Sequence, residues 1–303
     1  MKRVSWLSRD GLEIPGYLFL PEGEGPFPVI IYVHGGLHAS ALEDVIPKPG
    51  NEICRRYITG RGYAVLMVDY RGSTGYGGEF MSLNEWGGYE IDDVLGAVEY
   101  VEKSSIINSR KVFLYGNSRG AYIGLCALER TNRIAAAALS NGLYNLFDIV
   151  SGKTLWSKAD PRTEFLKEAM RSAITRSASS IPTADWIAEC WRRSPVFHTN
   201  RVNGRVLIIG SEADEVIPLG CAVELMAALT AARKEVILQV FTGPGATHTF
   251  IEHGEPVEKA LSAWELILDF FEGKPIQGTD PASIPPEKLW APSKATWRGD
   301  DDG

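Results

Sequence analysis

Apolar residues follow two rhythms along this chain. Residues 29–33, 63–68 and 205–210 are short, nearly unbroken apolar runs of strand length, the pattern expected of strands covered on both faces. Residues 111–115, 133–139 and 235–241 read as further strands. Between them the spacing turns helical: around 53–59, then at Ile91, Val94, Leu95, Val98 and Val101, and finally at Val257, Ala260, Leu261, Trp264, Ile267, Leu268 and Phe271. Alternating strand and helix predicts an α/β domain with a mostly parallel central sheet flanked by helices. Residues 11–20, β-prone around Ile14, Tyr17 and Phe19 and followed by a proline-rich turn, predict an outer antiparallel strand.

The alternation lapses at about 141–204, where Trp156, Trp186 and Trp191 stand among mixed charges with helix-like pieces near 164–175 and 184–193. This predicts a helical cap inserted into a domain spanning 1–272. From 273 to 303 the composition shifts to Pro275, Pro281, Pro285, Pro286 and Pro292 with acidic Asp300-Asp301-Asp302 at the end. Leu289, Trp290 and Trp297 are costly to leave in water, which predicts an ordered arm against the domain or against a neighbouring subunit of a homo-oligomer.

At 303 residues, 45% hydrophobic and 23% charged, the chain can bury a large core. Its net charge of −7 and the lack of any Lys/Arg stripe exclude nucleic acid as a partner. No apolar window is long enough for a membrane span and the N-terminus has no signal-peptide core, so the expected location is cytoplasmic. Cys54, Cys126, Cys190 and Cys221 form no Cys-x-x-Cys pair and read as buried thiols. His34 and His38 stand apart from other ligand types, so no metal is expected. No cofactor is expected either: Ser151-Gly152-Lys153-Thr154 lacks the first glycine of a phosphate loop, with Phe147 in its place, and Gly75-Tyr76-Gly77-Gly78 has Phe80 where a dinucleotide fingerprint needs glycine.

The chemistry centres on Gly116-Asn117-Ser118-Arg119-Gly120, which joins a strand to a helix. Such a nucleophile elbow holds its serine in a strained turn, and glycines on either side let strand and helix approach. A serine hydroxyl needs an imidazole to take its proton and a carboxylate to orient that imidazole. In this architecture the acid and then the histidine follow the serine in sequence. Asp214, with Glu212 and Glu215 as competitors, lies in the loop after strand 205–210, and His248 follows the last strand. His253 reads as a surface residue. The oxyanion of an acyl-transfer intermediate needs two N–H donors, for which the amides of Arg119 and Gly36, in His34-Gly35-Gly36, are the candidates. His34 reads as a structural hydrogen-bonding residue. Arg119 and Tyr76 are the candidate substrate contacts.

Together, His34-Gly35-Gly36, the segment 69–77 with its Arg-Gly-Ser-Thr-Gly-Tyr-Gly run, Glu85-Trp86-Gly87, the elbow, Trp191-Arg192-Arg193-Ser194-Pro195, Asp214 to Pro218 and His248 resemble the catalytic domain of prolyl oligopeptidase-family serine peptidases, especially the acylaminoacyl-peptidase-like branch. The resemblance covers roughly residues 10–272. It implies the α/β-hydrolase fold, a Ser118, Asp214 and His248 triad, and oxyanion donors at Arg119 and Gly36. Family members usually carry a β-propeller, and seven blades of ~40 residues would not fit here, so the hydrolase domain alone is expected. The family commonly places Tyr after the serine and Gly before it, where this chain has Arg119 and Asn117. Arg119 then either binds a substrate carboxylate or pairs with a buried acid of the scaffold. The expected activity is hydrolysis of an amide or peptide bond in a small molecule or short peptide, with carboxylesterase action on small esters as the alternative. A hydrolase-fold protein that binds a ligand without turnover is the alternative outside enzymes.

Overall fold

The structure is a computed structural model that describes residues 1–36, 39–41, 49–83, 85–150 and 184–290. One eight-stranded sheet runs through it, in the order β1-β2-β4-β3-β5-β6-β7-β8. The strands are β1 (Lys2–Leu7), β2 (Glu13–Phe19), β3 (Phe27–Val33), β4 (Ala64–Val68), β5 (Ile107–Asn117), β6 (Ala136–Ser140), β7 (Arg205–Ser211) and β8 (Val236–Phe241). From β4 across to β8 every pairing is parallel, while β1 and β2 pair antiparallel at one side. The carboxyl ends of β3 to β8 therefore share one edge.

The continuous apolar runs have a direct cause. In β3, Val29, Ile31 and Val33 join the core on one face, while Ile30 and Tyr32 join the core on the other. Helices α1 (Pro49–Gly60) and α6 (Val257–Phe271) pack against each other over one face. The other is covered by α2 (Tyr89–Glu102), α3 (Arg119–Leu128) and α5 (Leu219–Ala231). Each fully buried Val, Leu or Ile side chain contributes about 1.5–3 kcal/mol relative to exposure, so a strand with no polar face stabilises both layers at once.

Strand β1 is an element the sequence rhythm did not single out. Only Val4 and Trp6 point inward from it, too short an alternation to stand out, and its register is fixed by β2 and by the Trp6 indole donating to Asp93 O at 2.8 Å. Of the expected cap, the structure describes its flanks and helix α4 (Ala184–Arg193). The helix expected near 164–175, Trp156, residues 151–154 and the Trp186 side chain lie outside the described residues, as does His38. All four cysteines are buried and none is in a disulfide.

The described part of the arm, 273–290, packs on its own domain. Thr279 lies along the open edge of β8, its N–H donating to Leu238 O at 2.7 Å and its Oγ1 accepting from Val240 N at 3.0 Å. Lys288 pairs with Glu212, and the Trp290 ring rests on Gly220, where a Cβ would stand 2.5 Å from it. Trp297 and residues 300–302 fall outside the described part. Among the described residues no helix is long and apolar enough to cross a membrane.

Candidate active site

Ser118 sits where β5 ends and α3 begins, at φ 54° and ψ −118°, a backbone strain that needs tight surroundings to persist. The glycines supply them: a Cβ on Gly116 would meet Gly120 O at 2.3 Å, and one on Gly120 would meet Val33 O at 2.0 Å. The amides of Ala121 and Tyr122 turn back to Ser118 O. The Arg119 amide, first in the helix, has no intrahelical acceptor.

The neighbouring strand ends are tied to this elbow in sequence. Ser118 N donates to Ser140 O at 2.8 Å, and the next residue, Asn141, donates its backbone N–H to Ile209 O at 2.9 Å and its side-chain amide to His248 O at 2.9 Å. His248 Nδ1 lies 2.8 Å from Asp214 Oδ2. Asp214 Oδ1 accepts from the amides of Val216 and Ile217 at 2.7 and 2.8 Å, so both carboxylate oxygens are held. Of the competitors, Glu212 instead accepts from Lys288 and, at 3.2 Å, from Gly243 N, and Glu215 stays partly exposed. A proton on Nδ1, facing the Asp214 carboxyl oxygen, leaves the lone pair on Nε2. Among the described residues Ser118 Oγ has no hydrogen bond to the ring, a contact that is commonly loose without substrate.

Burial alone would pull the His248 imidazole below its ordinary pKa of 6.5, but the charge and hydrogen bond of Asp214, with Glu252 and Glu215 behind it, raise it above that value. Glu252, buried and accepting the Tyr115 hydroxyl, is a contributor that the sequence did not reveal. Asn141 is another.

On the opposite side of Ser118, Gly35 passes so close that a Cβ there would stand 3.2 Å from the serine Cβ and 3.1 Å from Asn117 O. Gly36 follows at φ 81°, in the left-handed region open to glycine. His34 is structural: Nδ1 donates to Gly35 O at 2.8 Å and Nε2 lies 2.9 Å from Ser73 Oγ. Burial, reinforced by the charge of Arg119, pushes its pKa down to about 4 despite the bond to Gly35, so the ring is neutral.

The two expected substrate contacts are placed in the scaffold. The Tyr76 hydroxyl donates to Asp69 and lies 3.3 Å from Tyr17 Oη, and its ring faces a cavity of about 570 Å³ beside β1 with Lys2, Glu13 and Phe80. The Arg119 side chain is 2% exposed and directed inward. Arg71, in the same glycine-rich run as Tyr76, is likewise structural, pairing with Asp93 at 2.8 Å and Asp10 at 2.7 Å. Among the described residues no group of His, Cys, Asp and Glu could hold a metal ion.

The model of the prolyl oligopeptidase family matches residues 54–274. The chain is 26% identical over 274 residues to the uncharacterized peptidase YuxL of Bacillus subtilis (strain 168), covering 87% of this chain and 38% of that one. It is 31% identical over 198 residues to dipeptidyl aminopeptidase BIII of Pseudoxanthomonas mexicana, covering 57% and 28%. The chain thus spans about a third of the length of these curated relatives. Among solved structures, the acylaminoacyl peptidase of Pyrococcus horikoshii aligns with a TM-score of 0.69 at 23% identity over 92% of this chain and 43% of that one. At that identity the shared property is the fold.

Proposed function

This chain belongs to the prolyl oligopeptidase family, and on that premise we propose that it is a serine hydrolase cleaving an amide or peptide bond of a small molecule or short peptide through an acyl-enzyme on Ser118. The observation that carries the reading is the 2.8 Å contact between His248 Nδ1 and Asp214. It supports a tautomer with the lone pair on Nε2, the atom that would accept the Ser118 proton.

In this reading Ser118 Oγ attacks the substrate carbonyl carbon while its proton passes to His248 Nε2. The resulting oxyanion is met by the amides of Arg119 and Gly36, each donor of this kind being worth ~3 kcal/mol of barrier. As the tetrahedral intermediate collapses, the C–N bond breaks and the imidazolium gives its proton to the departing amine. A water then gives a proton to Nε2 and attacks the ester carbonyl, and collapse releases the acid and restores the serine hydroxyl. The names of the curated relatives, a peptidase and a dipeptidyl aminopeptidase, favour an amide over an ester as the bond cleaved. Four buried cysteines outside any disulfide favour a reducing, cytoplasmic setting.

The test compares N-acetylalanyl p-nitroanilide and p-nitrophenyl butyrate on one preparation. Turnover of the anilide, lost in Ser118→Ala, is expected. Ester hydrolysis without anilide hydrolysis would make the protein a carboxylesterase. Turnover of neither by the folded wild type, together with retained ligand binding, would favour a non-catalytic binding protein.

A further inference from the structure

Arg119 occupies the position next to the nucleophile, and its side chain is built into the wall of the site. The guanidinium carbon lies 5.2 Å from the centre of the Tyr70 ring and 5.1 Å from that of Trp86. Nη2 donates to the carbonyl of Glu85 and stands 3.9 Å from Glu90 Oε1. Glu90 is fully buried and also accepts from the amides of Gly87 and Gly88 at 2.7 and 3.0 Å. A second arginine closes the same loop from the cap side, Arg193 Nη1 donating to Trp86 O at 2.7 Å.

Each ring that flanks Arg119 leads onward. Tyr70 stacks on His34 with centroids 4.4 Å apart and planes 13° apart, and its hydroxyl donates to His34 O at 3.1 Å. His34 in turn begins the glycine turn that passes over Ser118. Trp86 packs on Tyr122 of α3 at 5.1 Å, and the Tyr122 hydroxyl donates to Arg193 O at 2.8 Å. One guanidinium therefore joins the nucleophile helix, the oxyanion turn and the 85–88 loop. Among the described residues its Nε and Nη1 are buried without a hydrogen-bond partner, which leaves a desolvated positive charge that a single carboxylate at 3.9 Å offsets in part. A buried cation of this kind acts at short range through a low dielectric.

We propose that the Arg119 guanidinium is a positioning residue for the reaction: a buried cation that fixes the Tyr70–His34–Gly35 wall and favours negative charge on the substrate oxygen in the transition state. It does not receive a substrate carboxylate. Such a carboxylate would have to part the guanidinium from two aromatic rings and a backbone carbonyl to reach it, and the side chain is 2% exposed. The inference rests on the reading of Ser118 as the nucleophile.

The experiment uses the full chain with Arg119→Met and Arg119→Lys, two peptide substrates that differ only in a free or an amidated C-terminus, and a peptide trifluoromethyl ketone as transition-state mimic. The expected result for Arg119→Met is a fall in kcat on the order of 10- to 100-fold, with KM for both substrates within about twofold, because interactions made only in the transition state act on kcat. The inhibition constant of the ketone should rise by the factor that kcat/KM falls. Arg119→Lys, which keeps the charge without the planar fork, should recover part of kcat, and it remains the informative variant if the methionine form does not fold. A selective rise in KM for the free-carboxylate substrate with kcat retained would overturn the proposal, as would unchanged kcat in the folded Arg119→Met protein. Titration of the wild type with a fluorophosphonate separates the failures: labelled wild type with indifferent variants sinks this inference alone, whereas unlabelled wild type sinks the reading of Ser118 beneath it.

Discussion

Asp214→Asn is expected to lower kcat by about 10⁴-fold with little change in KM or melting temperature. The geometry dictates the sign. Oδ1 is pinned by the amides of Val216 and Ile217, so an asparagine keeps its carbonyl there and turns its NH₂ toward His248 Nδ1. Two donors cannot face each other. The ring responds by moving its proton to Nε2, the atom that must accept from Ser118, and the base is lost. The same variant should move the acid limb of the kcat/KM profile. The wild-type imidazole has its pKa raised above 6.5, mainly by Asp214 working against burial, and only the neutral ring acts as base. Activity therefore rises with pH through a midpoint above 6.5 in the wild type, and what activity remains in the variant should rise at lower pH. Steady-state rates from pH 5 to 9 check both parts. A variant within tenfold of wild type, with an unmoved limb, would separate Asp214 from the chemistry.

The second large effect is on folding. Gly120→Ala should destabilise the protein by about 4 kcal/mol or more, among the largest values seen for single substitutions. The new Cβ would stand 2.0 Å from Val33 O and 2.7 Å from His34 O. Both atoms are backbone of β3 and the turn that follows it, so no side chain can rotate away. Helix α3 would have to lift from the sheet and carry Ser118 with it. Gly60→Ala is the matched control, because nothing lies within 4 Å of its Cβ, and it should change stability by less than about 1 kcal/mol. Urea unfolding of the three proteins measures the difference. Equal midpoints for Gly120→Ala and wild type would mean that the strand and helix are not in the close contact described.

The elbow was legible in the sequence because its physics is local: two glycines and a serine at fixed spacing specify a strand-to-helix turn whatever surrounds it. The sheet was legible for a similar reason, since strands such as β3 face a core on both sides and show unbroken apolar runs. Strand β1 was not, because an edge strand with two inward residues has almost no pattern. The choice among Glu212, Asp214 and Glu215 rested on spacing, and the partners that separate them, Lys288 and Gly243, come from later in the chain. Asn141 and Glu252 escaped notice because their contacts, to His248 O and from Tyr115, span 107 and 137 residues. Arg119 was visible as a residue but not as a role. Its two readings differ only in where the side chain turns, and that is set by Tyr70, Trp86 and Glu90 from two other segments. Nothing in the spacing around Tyr76 shows where its side chain goes, and the bonds of its hydroxyl to Asp69 and Tyr17 come from the fold.

The proposed chemistry requires Ser118 as an activated nucleophile. The most direct measurement is intact-protein mass spectrometry after treatment with a fluorophosphonate, followed by peptide mapping, on wild type and Ser118→Ala. One adduct per chain, mapped to Ser118 and absent from the alanine variant, is the predicted result. A folded wild-type protein that takes up no label, or an adduct that persists in Ser118→Ala, would contradict it.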